Sequence, residues 1–161
     1  MQVKVLGLSR WKGSEQTLVV FMAEGAPAPM GWKGGEASLK RLMVAVRHEG
    51  FTGKVAQVAL VHPEDEDPAR RVLLAGVGPL QGLGDEAYRR GAAVACKAAA
   101  AAHLKGVTIL FPEKGDAGKV RRCAQAIVEG AILGSYRFTA HKTTSDGTPG
   151  PLEHAVLLHP E

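Results

Sequence analysis

Two short apolar runs separated by one alanine-rich segment dominate the middle of the sequence. The runs cover residues 72–77 and 107–111, and the segment between them, about residues 85–105, has helical spacing. Neither run alternates apolar and polar residues, as a strand with one face in water would. We therefore predict a βαβ unit whose strands are covered on both faces, at the centre of a three-layer α/β/α sandwich.

The remaining apolar patterns predict four more strands and two more helices around this unit. The strands are predicted at 2–8, 17–23, 55–61 and 155–159, and the helices at 36–48 and 116–136. We expect 2–8 near a sheet edge and 17–23 buried on both faces. The order β, β, α, β, β, α, β, α, β favours a mixed sheet in which early strands are antiparallel and later ones parallel.

The two later helices carry recognisable faces. Asp116 is a plausible N-cap for the last helix, with Val120, Ala124, Ile127 and Ala131 facing inward. The preceding helix is predicted to face the sheet with small residues: Ala87, Gly91, Val94, Ala95, Ala98 and Ala102. The only two cysteines, Cys96 and Cys123, lie inside these helical patterns, which favours buried free thiols over a disulfide.

Length and composition limit the class of protein to which the chain can belong. The 161 residues are predicted to form one domain, because that length buries a sizeable core. The chain is 45% hydrophobic and 22% charged, and it has neither a membrane-length apolar run nor a signal-peptide pattern. We therefore expect a cytoplasmic protein that does not enter membranes. The net charge of +4 permits anionic partners without requiring them.

A glycine cluster at residues 76–84 is the first candidate binding site. It lies between a predicted strand and a predicted helix, where backbone amides of Gly76 and Gly78 could hold an anion. Its spacing matches neither a dinucleotide fingerprint, which would need glycine where Gln81 stands, nor a P-loop. A tight strand-to-helix turn is therefore the favoured interpretation, and an anion site is the alternative.

Patterns for metal binding and nucleophilic catalysis are weak. The six histidines form no pair with the spacing of metal ligands. His62 is followed closely by the acidic run 64–67, but such a run is typical of a solvated loop. Ser135 lies in no nucleophile elbow, and the two cysteines lie where a thiolate would be desolvated. We predict no catalytic residue, metal ligand or resident cofactor in these 161 residues.

Two further patterns have alternative meanings. Gly130 and Gly134 form a G-x-x-x-G motif, which we interpret as close packing of the helix on the sheet or on a second domain. Basic residues on the last two helices could contact phosphate, but a solvated helix face is favoured: Arg89, Arg90, Lys97, Lys105, Lys119, Arg121 and Arg122.

Four stretches of the sequence are distinctive: Leu-Leu-Ala-Gly-Val-Gly at 73–78, Tyr-Arg-Arg-Gly-Ala-Ala at 88–93, Val-Thr-Ile-Leu-Phe-Pro at 107–112 and, most specifically, Ala-Ile-Val-Glu-Gly-Ala-Ile-Leu-Gly-Ser-Tyr-Arg-Phe at 126–138, with Lys142. Together they resemble the N-terminal domain of the leucyl (cytosol) aminopeptidases, the M17 family of metallopeptidases. The resemblance spans nearly the whole chain and is strongest from residue 71 onward.

The resemblance implies a macro-domain-like fold and a non-catalytic role. Peptidase activity in this family belongs to a separate C-terminal domain with two divalent metals, zinc or manganese, whose Asn-Thr-Asp-Ala-Glu-Gly-Arg signature does not occur here. The implied roles are packing on that domain, shaping access to its active site and arranging a hexamer, in a parent chain that continues past Glu161. Two alternatives stay open: a free-standing nucleotide- or ADP-ribose-binding module, and a DNA-binding module, since some bacterial members bind DNA.

Overall fold

The computed structural model describes residues 1–11, 17–32, 34–63, 69–112, 115–136 and 150–159. Its described elements are six strands, three α-helices and one 3-10 turn at Leu8–Arg10. The strands are β1 Gln2–Gly7, β2 Thr17–Ala23, β3 Val58–Val61, β4 Arg71–Gly78, β5 Gly106–Leu110 and β6 His154–His159. The helices are α1 Glu36–His48, α2 Asp85–Ala101 and α3 Ala117–Ser135.

The six strands form one sheet in the order β1-β6-β5-β2-β4-β3. Every described neighbouring pair is parallel except β3 with β4, so the predicted mixed sheet is confirmed, with β1 at one edge. The expectation that the early strands are antiparallel is wrong for β1 and β2. β1 pairs with the last strand, and β2 inserts between β4 and β5, the two strands of the predicted βαβ unit.

β2 shows how the helices cover both faces of the sheet. All seven of its residues are buried, as predicted. Val19 and Phe21 belong to a core shared with α2 and α3, whereas Leu18 and Val20 belong to a core shared with α1. Because side chains alternate along a strand, one strand supplies both cores, and the result is an α/β/α sandwich.

α2 and α3 pack against each other at very short range. A Cβ atom at Gly130 would collide with the carbonyl oxygen of Arg89, and one at Gly134 with that of Ala93. The G-x-x-x-G motif therefore does provide close packing, but against a neighbouring helix and not against the sheet. The inward residues predicted for α3 are buried or partly buried in the core.

The predicted face of α2 is only partly right. Gly91 and Ala95 are buried as expected, but Ala102 is exposed and Ala87, Val94 and Ala98 are only partly buried. The full set of buried residues in α2 is Tyr88, Gly91, Ala92, Ala95, Cys96, Ala99 and Ala100. The buried face of α2 is rotated relative to the predicted face because the helix contacts both the sheet and α3. In its alanine-rich sequence, inward and outward positions differ little in hydrophobicity, so the pattern does not locate the buried face.

Two element boundaries differ from the sequence prediction by three residues or more, and the others agree to within one residue. α2 ends at Ala101 instead of 105, because His103 takes a left-handed conformation (φ 58°) and Leu104 N–H donates to Ala99 O at 3.0 Å. β3 begins at Val58 instead of 55, because residues 52–57 form a loop around the Gln57 side chain, which accepts hydrogen bonds from Thr52 and Lys54.

Candidate functional surfaces

The carboxyl ends of the parallel strands are where open α/β sheets bind ligands. Here two loops of the chain itself cover the ends of β2 and β4. Met30 N–H donates to Phe21 O at 2.7 Å, and Gly25 N–H donates to Thr52 O at 3.3 Å, which joins the loop after β2 to the loop before β3. The carboxyl ends of β2 and β4 are therefore covered by loops that are joined by backbone-to-backbone hydrogen bonds.

Gly76 and Gly78, the two residues proposed as an anion site, lie at the buried end of β4 beneath this covering, whereas residues 79–82 of the turn are exposed. Gly76 N–H donates to Gln57 O at 2.8 Å and Gly78 N–H donates to Gly53 O at 2.9 Å. A Cβ atom at Gly76 would collide with the carbonyl oxygen of Lys54, so this glycine permits close approach of the chain's own backbone. Both amides are already engaged, and anion binding at Gly76 and Gly78 stays a prediction that these contacts do not support.

The start of α2 is also unfavourable for an anion. Asp85 and Glu86 occupy its first turn, where the helix dipole favours negative charge. Hydrogen bonds from Arg90 and Arg89 lower the pKa of the Glu86 carboxyl, which keeps it ionised. Two carboxylates of the chain thus already occupy the positive end of this helix.

Three of the basic residues predicted on α2 and α3 form ion pairs: Arg89, Arg90 and Arg122. Arg89 donates to Glu129 at 2.9 Å across the helix pair and also pairs with Glu86. Arg90 Nε lies 2.9 Å from a Glu86 carboxylate oxygen, and Arg122 Nε lies 3.7 Å from Asp85. Hydrogen bonds from Gln125 and Arg89 lower the pKa of the Glu129 carboxyl. These cations neutralise neighbouring carboxylates, so they form no unopposed phosphate-binding surface.

The described residues offer no arrangement for metal or nucleophilic chemistry. They contain no group of three or more His, Cys, Asp and Glu side chains that could hold a metal ion. The donor set therefore does not fit the two divalent metals that the family resemblance implies. The acidic run 64–67, whose nearness to His62 in the sequence raises the question of a metal site, lies outside the described residues.

Cys96 and Cys123 are buried free thiols, as predicted. Burial raises the pKa of the Cys96 thiol to about 12, so its thiolate is strongly disfavoured at neutral pH. The Ser135 hydroxyl donates to Ile132 O at 2.8 Å, within its own helix. None of these three side chains is activated as a nucleophile by the contacts described here.

Two surface cavities lie away from the closed strand ends. One of about 580 Å³ lies at the start of β1 and β6, beside Lys4 and His154. The other, of about 490 Å³, lies between α1 and the end of β3, beside Val44 and His62. The first is lined by the imidazole of His154 and the second by those of His48 and His62, but the described residues of neither form a metal-ligand cluster.

The end of α3 exposes apolar side chains. Ile132, Leu133 and Tyr136 are 49%, 64% and 72% exposed. From the sequence, this segment is interpreted only through its glycines, and its exposed face is not predicted. The available signal was the run from 130 to 136, which contains no charged residue.

The N-terminal domain of the cytosol aminopeptidase family matches residues 18–145 of this chain. The chain belongs to the cytosol aminopeptidase family. Among curated relatives, a probable cytosol aminopeptidase from Aquifex aeolicus is 30% identical over 150 residues, which cover 93% of this chain and 29% of the relative. A probable cytosol aminopeptidase from Roseiflexus castenholzii is 34% identical over 93 residues, which cover 58% of this chain and 19% of the relative.

Solved structures of this family's fold agree. A mutant of tomato leucine aminopeptidase superposes with a TM-score of 0.72 at 19% identity, covering 99% of this chain and 32% of that one. The bottromycin maturation enzyme BotP superposes with a TM-score of 0.62 at 23% identity, covering 91% of this chain and 28% of that one. The chain is thus an aminopeptidase N-terminal domain that spans about a third or less of these proteins.

Within the part of the chain that the structure describes, no helix is both long and apolar enough to cross a bilayer.

Proposed function

We propose that this chain serves as the non-catalytic N-terminal domain of a two-metal leucyl aminopeptidase, an enzyme that releases N-terminal amino acids from peptides. The observation that supports this most is the match of residues 18–145 to the family's N-terminal domain. The A. aeolicus relative, of whose length the chain covers 29%, leaves ample length for a catalytic domain.

In this proposal the metals are held outside the domain, by the C-terminal catalytic domain of the same polypeptide. The described residues supply no cluster of three potential ligands, which supports that placement. Zinc and manganese are both candidates, and BotP has been solved in complex with manganese. The domain itself would pack on the catalytic domain, shape access to its active site and help to arrange a hexamer in the cytoplasm.

The two alternative functions have less support. A nucleotide or ADP-ribose module needs free amides at the glycine turn, and those of Gly76 and Gly78 are engaged by backbone carbonyls. A DNA-binding module needs unopposed cations, and Arg89, Arg90 and Arg122 are paired with carboxylates.

The test is the activity of the complete enzyme encoded with this domain. Loaded with manganese or zinc, it is expected to release p-nitroaniline from leucine p-nitroanilide, and removal of the metal by a chelator is expected to abolish turnover. A reading frame without a metallopeptidase domain, or a complete protein without aminopeptidase activity, would contradict the proposal.

A further inference from the structure

Three exposed apolar side chains lie at the end of α3, and we name them the α3-end patch: Ile132 and Leu133 in the last turn of the helix, and Tyr136, the C-cap residue that follows it. Residue 136 is four positions from 132 and three from 133, a spacing that places side chains on one side of a helix. The other large exposed apolar side chains of the described chain lie on other segments: Met1, Val5, Val44, Val55, Val58 and Leu80. The patch is thus a local concentration of exposed apolar surface.

The patch is also free of charge. Residues 130–136 contain no acidic or basic side chain, and the last turn of α3 contains no basic residue. A helix face that simply meets water normally carries charged residues, whereas contiguous apolar surface marks an interaction site.

The position of the patch is fixed by close packing on another side of the same helix. Gly130 and Gly134 bring α3 against the backbone of α2 at Arg89 and Ala93. This contact leaves Leu133 and Tyr136 mostly exposed, so the domain does not use these two side chains in its own core. A firmly held helix end is a suitable docking surface, because little order has to be gained on association.

We propose that the α3-end patch is the surface on which the catalytic domain of the same polypeptide docks. This inference rests on the proposed function. The tomato leucine aminopeptidase chain, of which this fold covers 32%, joins such a domain to a body about twice its size. Interfaces between permanently associated partners are apolar, as this uncharged patch is, whereas a nucleic-acid partner would need basic residues.

Site-specific cross-linking in the complete enzyme tests the docking directly. A photoreactive phenylalanine analogue placed at residue 136 is expected to cross-link to a peptide of the catalytic domain. The control position is residue 80, because Leu80 is 67% exposed but lies in the loop before α2. Cross-links from 136 only to the N-terminal domain of a second copy, or to nothing in the enzyme, would overturn the inference.

A substitution in the α3-end patch distinguishes a role in docking from a role in the stability of the domain itself. Leu133→Gln is expected to lower the Tm of the complete enzyme by several degrees, but to shift that of the 161-residue chain by no more than about 2 °C. Leu80→Gln is expected to leave the Tm of the enzyme unchanged. Equal losses in both proteins for Leu133→Gln, or no loss in either, would overturn the inference.

The two proposals fail in different ways. A complete enzyme that hydrolyses leucine p-nitroanilide but fails the cross-linking test would retain the proposed function and refute this docking surface. A complete protein without aminopeptidase activity would refute the proposed function itself.

Discussion

Arg89 is the residue that links the two outer helices by charge. It pairs with Glu86 on α2 and with Glu129 on α3. Gly130, the next residue after Glu129, packs against the backbone carbonyl oxygen of Arg89. The pKa of the Arg89 guanidinium is raised, first by its hydrogen bond with Glu129 and then by that with Glu86. From the sequence, Arg89 is predicted only to lie on a basic surface, because local spacing does not reveal a partner on another helix.

The lowered pKa of Glu129 predicts acid sensitivity. A carboxyl whose pKa is lower in the folded state than its ordinary value of 4.5 stabilises the fold at pH values above 4.5. This stabilisation is lost as the pH falls through the lowered pKa. Glu129→Gln is therefore expected to reduce the free energy of unfolding at neutral pH and to weaken its decline toward about pH 3. Urea unfolding at a series of pH values measures both effects.

The control for this prediction is Glu24→Gln, which changes an exposed glutamate in the loop after β2. It is expected to leave the acid decline as steep as in the parent chain. An unaltered pH dependence in Glu129→Gln would show that the pair with Arg89 contributes nothing to stability.

Gly130→Ala tests the close contact of α2 with α3. The added Cβ atom would collide with Arg89 O, so the helices must separate, and the free energy of unfolding is expected to fall by about 2 kcal/mol despite alanine's higher helix propensity. Gly84→Ala is the steric control, since a Cβ there lies 4.0 Å from the nearest contact. A stabilised Gly130→Ala variant in urea unfolding would contradict the described packing.

At the scale of elements, most helices and strands follow from local sequence. α1 has its predicted bounds, Glu36–His48, because its apolar residues repeat at helical spacing and Gly50 follows. The end of α2 could not be found in this way, because alanine continues past the true end and the left-handed position is occupied by His103 instead of glycine. Asp116 was recognisable as an N-cap, and its side chain accepts from Lys119 N–H at 3.0 Å.

The left-handed end of α2 predicts a stabilising substitution. His103 is exposed and has a φ of 58°, a conformation that glycine adopts without a Cβ penalty. His103→Gly is expected to raise the free energy of unfolding by about 0.5–1 kcal/mol. Ala101→Gly, two residues earlier and inside α2, is expected to lower it, and equal effects of the two changes in urea unfolding would refute this interpretation.

The engaged amides of Gly76 and Gly78 predict that anionic ligands leave the stability of the domain unaffected. A ligand that binds the folded state raises Tm by mass action. Because the amides of Gly76 and Gly78 are engaged, millimolar ADP-ribose or inorganic phosphate is expected to leave the Tm of the 161-residue chain unchanged. Differential scanning calorimetry checks this, and a Tm that rises with ADP-ribose concentration would revive the nucleotide-binding alternative.

At the scale of the whole molecule, sequence patterns predicted the layers but not the strand order. Uninterrupted apolar runs such as 18–23 and 72–75 indicate burial on two faces, and both faces are indeed covered by helices. The insertion of β2 between β4 and β5 depends on pairing between distant segments, which no local pattern specifies. The same limit applies to the candidate surfaces, because exposure at Leu133 and Tyr136 depends on where α3 meets α2.

The family assignment and the surfaces together give one account of the whole molecule. The ends of β2 and β4 are covered by loops of the chain, Arg89, Arg90 and Arg122 are paired with carboxylates, and the apolar end of α3 is exposed. These features suit a domain that docks on a larger body and leaves the chemistry to it.

The most direct test of this account is a peptidase assay on the 161-residue chain alone. With added manganese or zinc, the chain is expected to release no p-nitroaniline from leucine p-nitroanilide above the rate of the buffer with metal. The complete enzyme, assayed in parallel at equal molar concentration, provides the positive control. Metal-dependent turnover by the 161-residue chain, removed by a chelator, would contradict a non-catalytic domain.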